Sequence, residues 1–153
     1  MIKKVDDLKK DLKEITREIM KEAKACALIT MDSLGIAHAR AMDPFLPEKD
    51  FTVWMATNPK SLKVQQLKNN KKVTLYYFDK ESVSYVSLQG FASIINGAAA
   101  KEKYWKTAWK NFYKNRTTEY LLIKFTPKKA NIVSERYQIL GDSITWETAQ
   151  LNF

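Results

Sequence analysis

FTVWMATNPKSLKVQQLKNN, residues 51–70, is the stretch of this chain that decides the fold. Its first part, residues 51–56, is rich in β-branched and aromatic side chains and predicts a buried strand. Its second part, residues 62–68, carries apolar side chains at helical spacing and ends before Asn69, which predicts a short helix. Ser61 then stands at the helix N-cap. The stretch therefore predicts a strand joined to a helix by a turn.

The turn TNPKSLK, residues 57–63, brings together groups that bind anions. The first N–H groups of a helix lack intrahelical partners, and the helix dipole places partial positive charge beside them. Lys63 adds a cation in the same turn of the helix. A phosphate dianion would fit such a receptacle. The alternative, which local sequence alone favours, is that Ser61 only caps the helix and Lys63 is solvated.

Composition sets limits on the class of protein. The chain has 153 residues, 45% of them hydrophobic and 12% aromatic, which is enough for one domain with a core, residues 1–153. No apolar run reaches the roughly 18 residues of a membrane span, and the N-terminus lacks the apolar segment of a signal peptide. We therefore expect a cytoplasmic protein without a membrane partner. A single cysteine, Cys26, and a single histidine, His38, disfavour a disulfide, a zinc site and a cysteine or serine triad. The apolar neighbours of Cys26 predict a buried thiol.

The formal net charge of +9 admits three explanations, which are nucleic-acid binding, attraction of anionic metabolites, or solubility alone. Within residues 101–114, lysines alternate with aromatic side chains, as in surfaces that bind single-stranded nucleic acid. However, Trp105, Trp109 and Phe112 recur at helical spacing. That spacing favours the buried stripe of an amphipathic helix over residues 98–114, whose lysines face water.

Hydrophobic periodicity predicts the remaining elements. In chain order we expect an amphipathic helix at 3–24, strands at 26–31, 36–42 and 51–56, a helix at 62–68, strands at 72–78 and 82–96, a helix at 98–114, and strands at 119–126 and 130–139. The first two strands are predicted to form a hairpin, and Gly90 predicts a bulge or bend in the longest strand. The chain then divides into an N-terminal helix (1–24), a sheet (25–139) and a C-terminal tail (140–153). Strands joined by short turns favour an antiparallel closed sheet. The sequence contains neither Gly-rich nucleotide-binding motif.

This order of elements, together with two motifs, resembles a known family. The motifs are Arg40-Ala41-Met42 on the second predicted strand and ATNPKSLK, residues 56–63, after the third. They resemble the pyridoxamine 5′-phosphate oxidase-like FMN-binding split barrels, and among these the branch similar to general stress protein 26. The resemblance covers about residues 27–134. It implies a mainly β, α+β fold, a six- to seven-stranded antiparallel split β-barrel with flanking helices and Greek-key connections. It also implies a homodimer that binds FMN in the cleft between its subunits.

The resemblance assigns roles to individual residues. Arg40 matches the arginine that approaches the phosphate and ribityl side of the flavin, and Ala41 and Met42 match main-chain neighbours of the isoalloxazine ring. Further matches are Ala56 and Thr57 at the ring or ribityl chain, and Ser61, Leu62 and Lys63 at the phosphate. The family often has arginine where this chain has Leu62. The aromatic residues that could pack on the ring, or belong to the core instead, are Trp54, Tyr85, Trp105, Trp109 and Trp146.

The chain departs from the true oxidase where the substrate would bind. Phe45 stands where the oxidase has a lysine, and residues 104–116 do not reproduce its handles for the pyridoxamine phosphate. The C-terminal arginine-histidine signature is absent, since residues 136–153 contain no histidine. Oxidation of vitamin B6 is therefore disfavoured, and the sequence does not identify the catalytic residues.

Three functions remain from the sequence. The first is an FMN-binding oxidoreductase that passes hydride or electrons between a nicotinamide or other donor and an unidentified small molecule. The second is a stress protein that binds FMN without catalysis. The third, which we rank last, is a basic nucleic-acid-binding barrel that uses residues 101–114.

Overall fold

The structure of the protein is a computed structural model that describes the backbone of residues 5–153 and the side chains of residues 12–153. Within these residues lie seven strands and three α-helices. In chain order they are α1 (Val5–Ala23), β1 (Cys26–Met31), β2 (Ala37–Met42), β3 (Val53–Thr57), α2 (Leu62–Asn69), β4 (Lys72–Asp79), β5 (Ser84–Ile95), α3 (Ala98–Lys103), a 3₁₀ helix (Thr107–Asn111), β6 (Leu121–Ser134) and β7 (Ala149–Asn152).

The strands form one antiparallel sheet in the order β2-β1-β4-β5-β6-β3, and β7 pairs with β6. β1 and β2 form the predicted hairpin, in which Gly35 has a φ of 77° that suits a glycine in a tight turn. Strands β4, β5 and β6 follow one another as a meander, whereas β3 crosses over to lie beside β6. This connection is of the Greek-key type. The sheet confirms the predicted mainly β, α+β fold with an antiparallel split barrel.

The sheet curls, so that its two end strands approach each other without pairing. Within the described residues, β2 pairs only with β1 and β3 only with β6. The loop after β2 continues the contact, since the N–H of Phe45 donates to the carbonyl of Trp54 at 2.8 Å and the N–H of Glu48 to that of Thr52 at 2.9 Å. The barrel is therefore split along the gap between β2 and β3, and this gap positions the candidate site.

The core lies inside the curled sheet, and α1 covers one open side of it. Ile19 and Met20 of α1 are buried in the same cluster as the inward side chains of β1, β4, β5 and β6. This confirms the predicted amphipathic helix over residues 5–23, while residues 3 and 4 and the side chains of Val5 and Leu8 lie outside the described part of the chain. No helix in the described part is both long and apolar enough to span a membrane.

Gly90 marks a bulge, as predicted, because the register of β5 against β6 shifts between Gln89 and Gly90. The prediction of two strands at 119–126 and 130–139 is wrong, because β6 runs unbroken over Leu121–Ser134. Pro127 has no N–H to donate to a ladder, but it lies opposite Gly90 at the bulge, where regular pairing is already interrupted. The predicted tail likewise contains strand β7.

The prediction of one continuous helix over residues 98–114 is also wrong. Helix α3 ends at Lys103, and the next turn is the 3₁₀ helix Thr107–Asn111. The break occurs at Tyr104, whose ring stacks on Trp54 with centroids 4.2 Å apart and whose carbonyl accepts a hydrogen bond from Tyr120. These contacts hold the backbone out of the helical path. As a result Trp109 is buried, as expected, but Phe112 is 74% exposed, so the predicted buried stripe is only partly formed.

Cys26 is buried at the start of β1, and burial raises the pKa of its thiol to about 12. Since the thiolate is the reactive form, we expect Cys26 to resist a disulfide reagent in the native protein at mildly alkaline pH. The same thiol should react at once when the protein is unfolded in denaturant. Rapid colour development from the folded protein would show that the start of β1 opens readily.

Candidate functional site

A cavity of about 610 Å³ opens in the gap between the ends of β2 and β3. This volume lies within the range of about 300–1,000 Å³ that is usual for small-molecule sites. The cavity is lined by Ala41, Met42, Asp43, Ala56, Thr57, Asn58, Lys63, Ala108, Trp109, Phe112 and Tyr113. These residues come from the end of β2, the end of β3, the first turn of α2 and the 3₁₀ helix with the residues after it. The split in the barrel therefore forms a site that none of these elements could form alone.

The first turn of α2 forms one end of the cavity. Lys63 donates from Nζ to Oγ1 of Thr57 at 3.1 Å, and the hydroxyls of Thr57 and Ser61 are 3.0 Å apart. Ser61 occupies the N-cap, as predicted, but its side chain makes no capping hydrogen bond. The N–H groups of the first turn therefore receive no side-chain acceptor from the N-cap residue. Such groups favour an anion at this end of the helix.

Arg40 extends from β2 towards α2. Its Nη1 donates to Oγ1 of Thr30 at 2.6 Å and to the carbonyl of His38 at 3.0 Å, while Nη2 donates to Oε1 of Gln66 at 3.0 Å. Gln66 lies one turn after Lys63 on α2, and the charge of Arg40 is near enough to Lys63 to lower its pKa.

Arg40 and Lys63 are both cations without a compensating charge. Burial lowers the pKa of both, and the positive charge of Arg40 further lowers the pKa of Lys63. Within residues 12–153, no carboxylate lies within ion-pair distance of either side chain. Two half-buried cations that repel each other are stabilised by an anion placed between them. The site is thus electrostatically suited to a phosphate.

Asp43 anchors the opposite wall. Its carboxylate accepts from Nζ of Lys106 at 2.6 Å and from Nε1 of Trp109 at 3.1 Å, which ties the 3₁₀ helix to the end of β2. Phe45 packs edge-on against Trp109 with centroids 5.4 Å apart. The wall therefore consists of aromatic rings held in fixed orientations. Of the rings in residues 104–113, Trp109 is buried in this cluster and Tyr104, Trp105 and Tyr113 pack against it partly buried.

The structure brings together part of the predicted site. The predicted residues that line the cavity are Ala41, Met42, Ala56, Thr57, Lys63 and Trp109. Ser61 adjoins it through Thr57. Arg40 is not part of this lining: it lines a separate cavity of about 360 Å³ with Ala39 and Ala41, and its charge acts on Lys63 of the first cavity. Leu62 is 57% exposed and lies outside the lining.

The other aromatic candidates lie elsewhere in this chain. Trp54 is buried beneath Tyr104, and Trp105 packs against Tyr120 with centroids 5.3 Å apart. Tyr85 stacks on Tyr76 of the neighbouring strand, with centroids 5.5 Å apart. Trp146 is 81% exposed in the segment before β7. Of the aromatic candidates, Trp109 alone contributes to the described cavity.

Sequence reasoning missed several residues that build the site. Asp43, Asn58, Phe112 and Tyr113 line the cavity, and Gln66 holds Arg40. Asp43 could have been found, since it is the polar residue that directly follows the Arg40-Ala41-Met42 motif. The role of Gln66 had no sequence signal, because a glutamine one turn after Lys63 is equally typical of a solvated helix face.

Comparison with known proteins finds similarity in sequence and in fold. Residues 10–145 match the model of the family described as pyridoxamine 5′-phosphate oxidase like. The fold is similar to that of the crystal structure of general stress protein 26 from Bacillus anthracis, at 24% identity and a TM-score of 0.73, covering 93% of this chain and 98% of that one. It is also similar to a Clostridium acetobutylicum protein related to general stress protein 26, at 22% identity and a TM-score of 0.76, covering 95% of this chain and 96% of that one.

A third similar structure is described as that of an FMN-binding protein. It is a pyridoxamine 5′-phosphate oxidase-related, FMN-binding protein from Nostoc punctiforme, at 10% identity and a TM-score of 0.68, covering 94% of this chain and 95% of that one. A comparison of the sequence with curated proteins finds no significant match.

Proposed function

This chain belongs to the pyridoxamine 5′-phosphate oxidase-like family, and we propose that it binds FMN in the cavity between β2 and β3. The observation that carries the proposal is the pair of uncompensated cations, Arg40 and Lys63, beside the first turn of α2. The phosphate of FMN carries about two negative charges near neutral pH, which these groups neutralise. Arg40, Lys63 and the first-turn N–H groups would hold the phosphate.

The remaining lining suits the flavin ring. Ala41 and Ala56 are small, so a flat ring can approach the ends of β2 and β3 closely. The edge of β2 that faces away from β1 pairs with no strand in the described part of the chain, and its peptide groups are free to hydrogen-bond the polar edge of the ring. Trp109, Phe112 and Tyr113 supply aromatic surface opposite. The residues present therefore fit the cofactor.

Bound FMN supplies hydride or electron transfer, and the protein contributes orientation and exclusion of water. We propose that the chain is an oxidoreductase that acts on a small molecule, with a nicotinamide or another donor. The only carboxylate in the lining, Asp43, is engaged by Lys106 and Trp109. This engagement favours chemistry that needs no acid or base from the protein, and it is equally compatible with a protein that binds FMN without turning it over.

We also propose that the site is completed in a homodimer. Phe112 lines the cavity and is 74% exposed, and the alanines of β2 present a small, exposed face beside it. A second copy of the chain would cover these surfaces and enclose the ring. Molar mass in solution, measured by light scattering during size-exclusion chromatography, should correspond to two chains, with one FMN for each chain.

The proposal is tested by the absorption spectrum of the purified protein and by titration with FMN. We expect visible flavin absorbance, or saturable quenching of FMN fluorescence with one equivalent for each chain. Reduction of the bound flavin by NADH or NADPH, followed by rapid reoxidation by an acceptor, would identify an enzyme. Binding without such turnover would identify a non-catalytic FMN protein, and absence of binding at saturating FMN would refute both.

A further inference from the structure

Gln66 forms the centre of a buried polar network beside the site. The residue is 5% exposed, and its Oε1 accepts from Oγ1 of Thr30 at 2.6 Å and from Nη2 of Arg40 at 3.0 Å. Oγ1 of Thr30 accepts in turn from Nη1 of Arg40 at 2.6 Å. Three side chains from β1, β2 and α2 thus form a closed set of hydrogen bonds.

The orientation of the Gln66 amide follows from this network. Arginine can only donate, and Thr30 gives its single hydroxyl proton to Gln66, so only the carbonyl oxygen of the amide can face them. The amide Nε2 is then turned away and has no hydrogen-bond partner in the described part of the structure. A buried donor without a partner is destabilising, and each such group in a native protein calls for an explanation.

A glutamate at this position would avoid the unpaired donor. It would present the same oxygen to Thr30 and Arg40 and would also pair with the arginine charge. However, its negative charge would neutralise the positive charge of Arg40, which is then no longer available to attract a phosphate. The neutral amide holds the guanidinium in place without compensating it.

The hydrogen bonds also leave part of Arg40 unused. Its guanidinium carries five N–H groups. The two on Nη1 are shared among Oγ1 of Thr30 and the carbonyls of His38 and Leu28, and one on Nη2 points to Gln66. The second N–H of Nη2 and the Nε–H have no partner within the described residues. A fork of free donors remains on a side chain whose position is fixed.

We propose that Gln66 is a positioning residue that, with Thr30, holds Arg40 ready for the FMN phosphate while keeping its charge uncompensated. This inference rests on the proposed function and adds to it a determinant of the preference for a phosphorylated flavin. The amide acts through Arg40, and its effect is confined to the phosphate end of the ligand.

The test is Gln66→Glu, with Gln65→Glu as the matched control. Gln65 is the neighbouring residue of α2, is exposed, and receives the same change of charge without contact with Arg40. We expect Gln66→Glu to weaken FMN binding about 10- to 100-fold, the range of one charge-assisted hydrogen bond. Riboflavin, which lacks the phosphate, should bind the variant as it binds the wild type. Gln65→Glu should change FMN affinity less than about threefold, because exposed charges are screened.

The thermal midpoint of the ligand-free protein separates positioning from folding. We expect Gln66→Glu to unfold at or above the wild-type temperature, because the carboxylate removes the unpaired donor and pairs with Arg40. If the variant fails to fold, Thr30→Val is the second test, because it removes the hydroxyl that contacts Arg40 and Gln66. Thr30→Val should weaken the binding of FMN but not that of riboflavin. Unchanged FMN affinity, or an equal loss for both flavins, overturns the inference.

The failure of this inference is distinguishable from failure of the proposed function. If the wild type binds FMN but Gln66→Glu binds it equally well, only the role of Gln66 is wrong. If the wild type binds no flavin, the proposed function is wrong. The role of Gln66 is then tested by binding of inorganic phosphate. Phosphate should then raise the thermal midpoint of the wild type and of Gln65→Glu above a chloride control of equal ionic strength, but not that of Gln66→Glu. A wild type that phosphate does not stabilise overturns the inference as well.

Discussion

Replacing both Arg40 and Lys63 by alanine is expected to lower the affinity for FMN by about 10²- to 10⁴-fold. Each cation supplies a charge-assisted hydrogen bond worth about 1.5–3 kcal/mol, and two such bonds amount to about 3–6 kcal/mol. Both side chains are half-buried, so solvent screens their charges less than it screens those of exposed lysines. The measurement is titration of FMN fluorescence quenching for the double variant and for the wild type.

Two controls make this result specific. Lys68→Ala with Lys80→Ala removes the same total charge from exposed positions, and it should change FMN affinity only slightly. Riboflavin affinity should be almost equal in all three proteins, because riboflavin lacks the phosphate. FMN affinity in the Arg40 and Lys63 variant that equals the wild-type value would exclude the phosphate site at the start of α2.

The ligand should also stabilise the protein that it binds. In the free protein, burial lowers the pKa of Lys63, and the positive charge of Arg40 lowers it further, so the two cations repel each other in a partly desolvated place. A dianion removes the repulsion, so saturating FMN should raise the free energy of unfolding by mass action. The double variant lacks the two cations and binds FMN only weakly, so we expect FMN to have little effect on its stability.

Local chemistry explains which parts of the fold were predictable. The β1–β2 hairpin follows from two alternating segments around a turn in which Asp32 accepts from the N–H groups of Leu34 and Ile36, both at 2.9 Å. The β3–α2 junction follows from a change of hydrophobic period at Ser61. In each case, interactions between residues close in the sequence determine the structure, so the sequence pattern contains the information.

The parts that were not predictable depend on distant partners. The helix predicted at 98–114 breaks at Tyr104 because Trp54 of β3 and Tyr120, which precedes β6, hold that residue. The continuous strand β6 depends on Gly90 lying opposite Pro127. The candidate site shows the same division, because Lys63 and Ser61 were found from the junction itself. The role of Gln66 depends on Arg40, which is 26 residues away in the chain.

The close packing at Gly90 leads to the second prediction with a large effect, in which Gly90→Ala destabilises the protein by about 3 kcal/mol or more. A Cβ at this position would lie 2.1 Å from the carbonyl oxygen of Thr126 and 2.9 Å from Cα of Pro127. Both atoms belong to the backbone of β6, so no side-chain rotation relieves the clash. Overpacking in a core typically costs about 1–3 kcal/mol, and a backbone clash places this substitution at the upper end.

Gly97→Ala is the matched control, since the same methyl group added there meets no atom within 4 Å. Gly97 has φ −68° and ψ 137°, which alanine adopts without strain, so its stability should change by less than about 1 kcal/mol. For a chain of this size, a loss of about 3 kcal/mol lowers the thermal midpoint by roughly 6–12 °C. Calorimetry of the two variants beside the wild type measures the difference. Equal midpoints for Gly90→Ala and Gly97→Ala would mean that β5 and β6 can move apart at the bulge. The close contact of Gly90 with the backbone of β6 would then not be needed for stability.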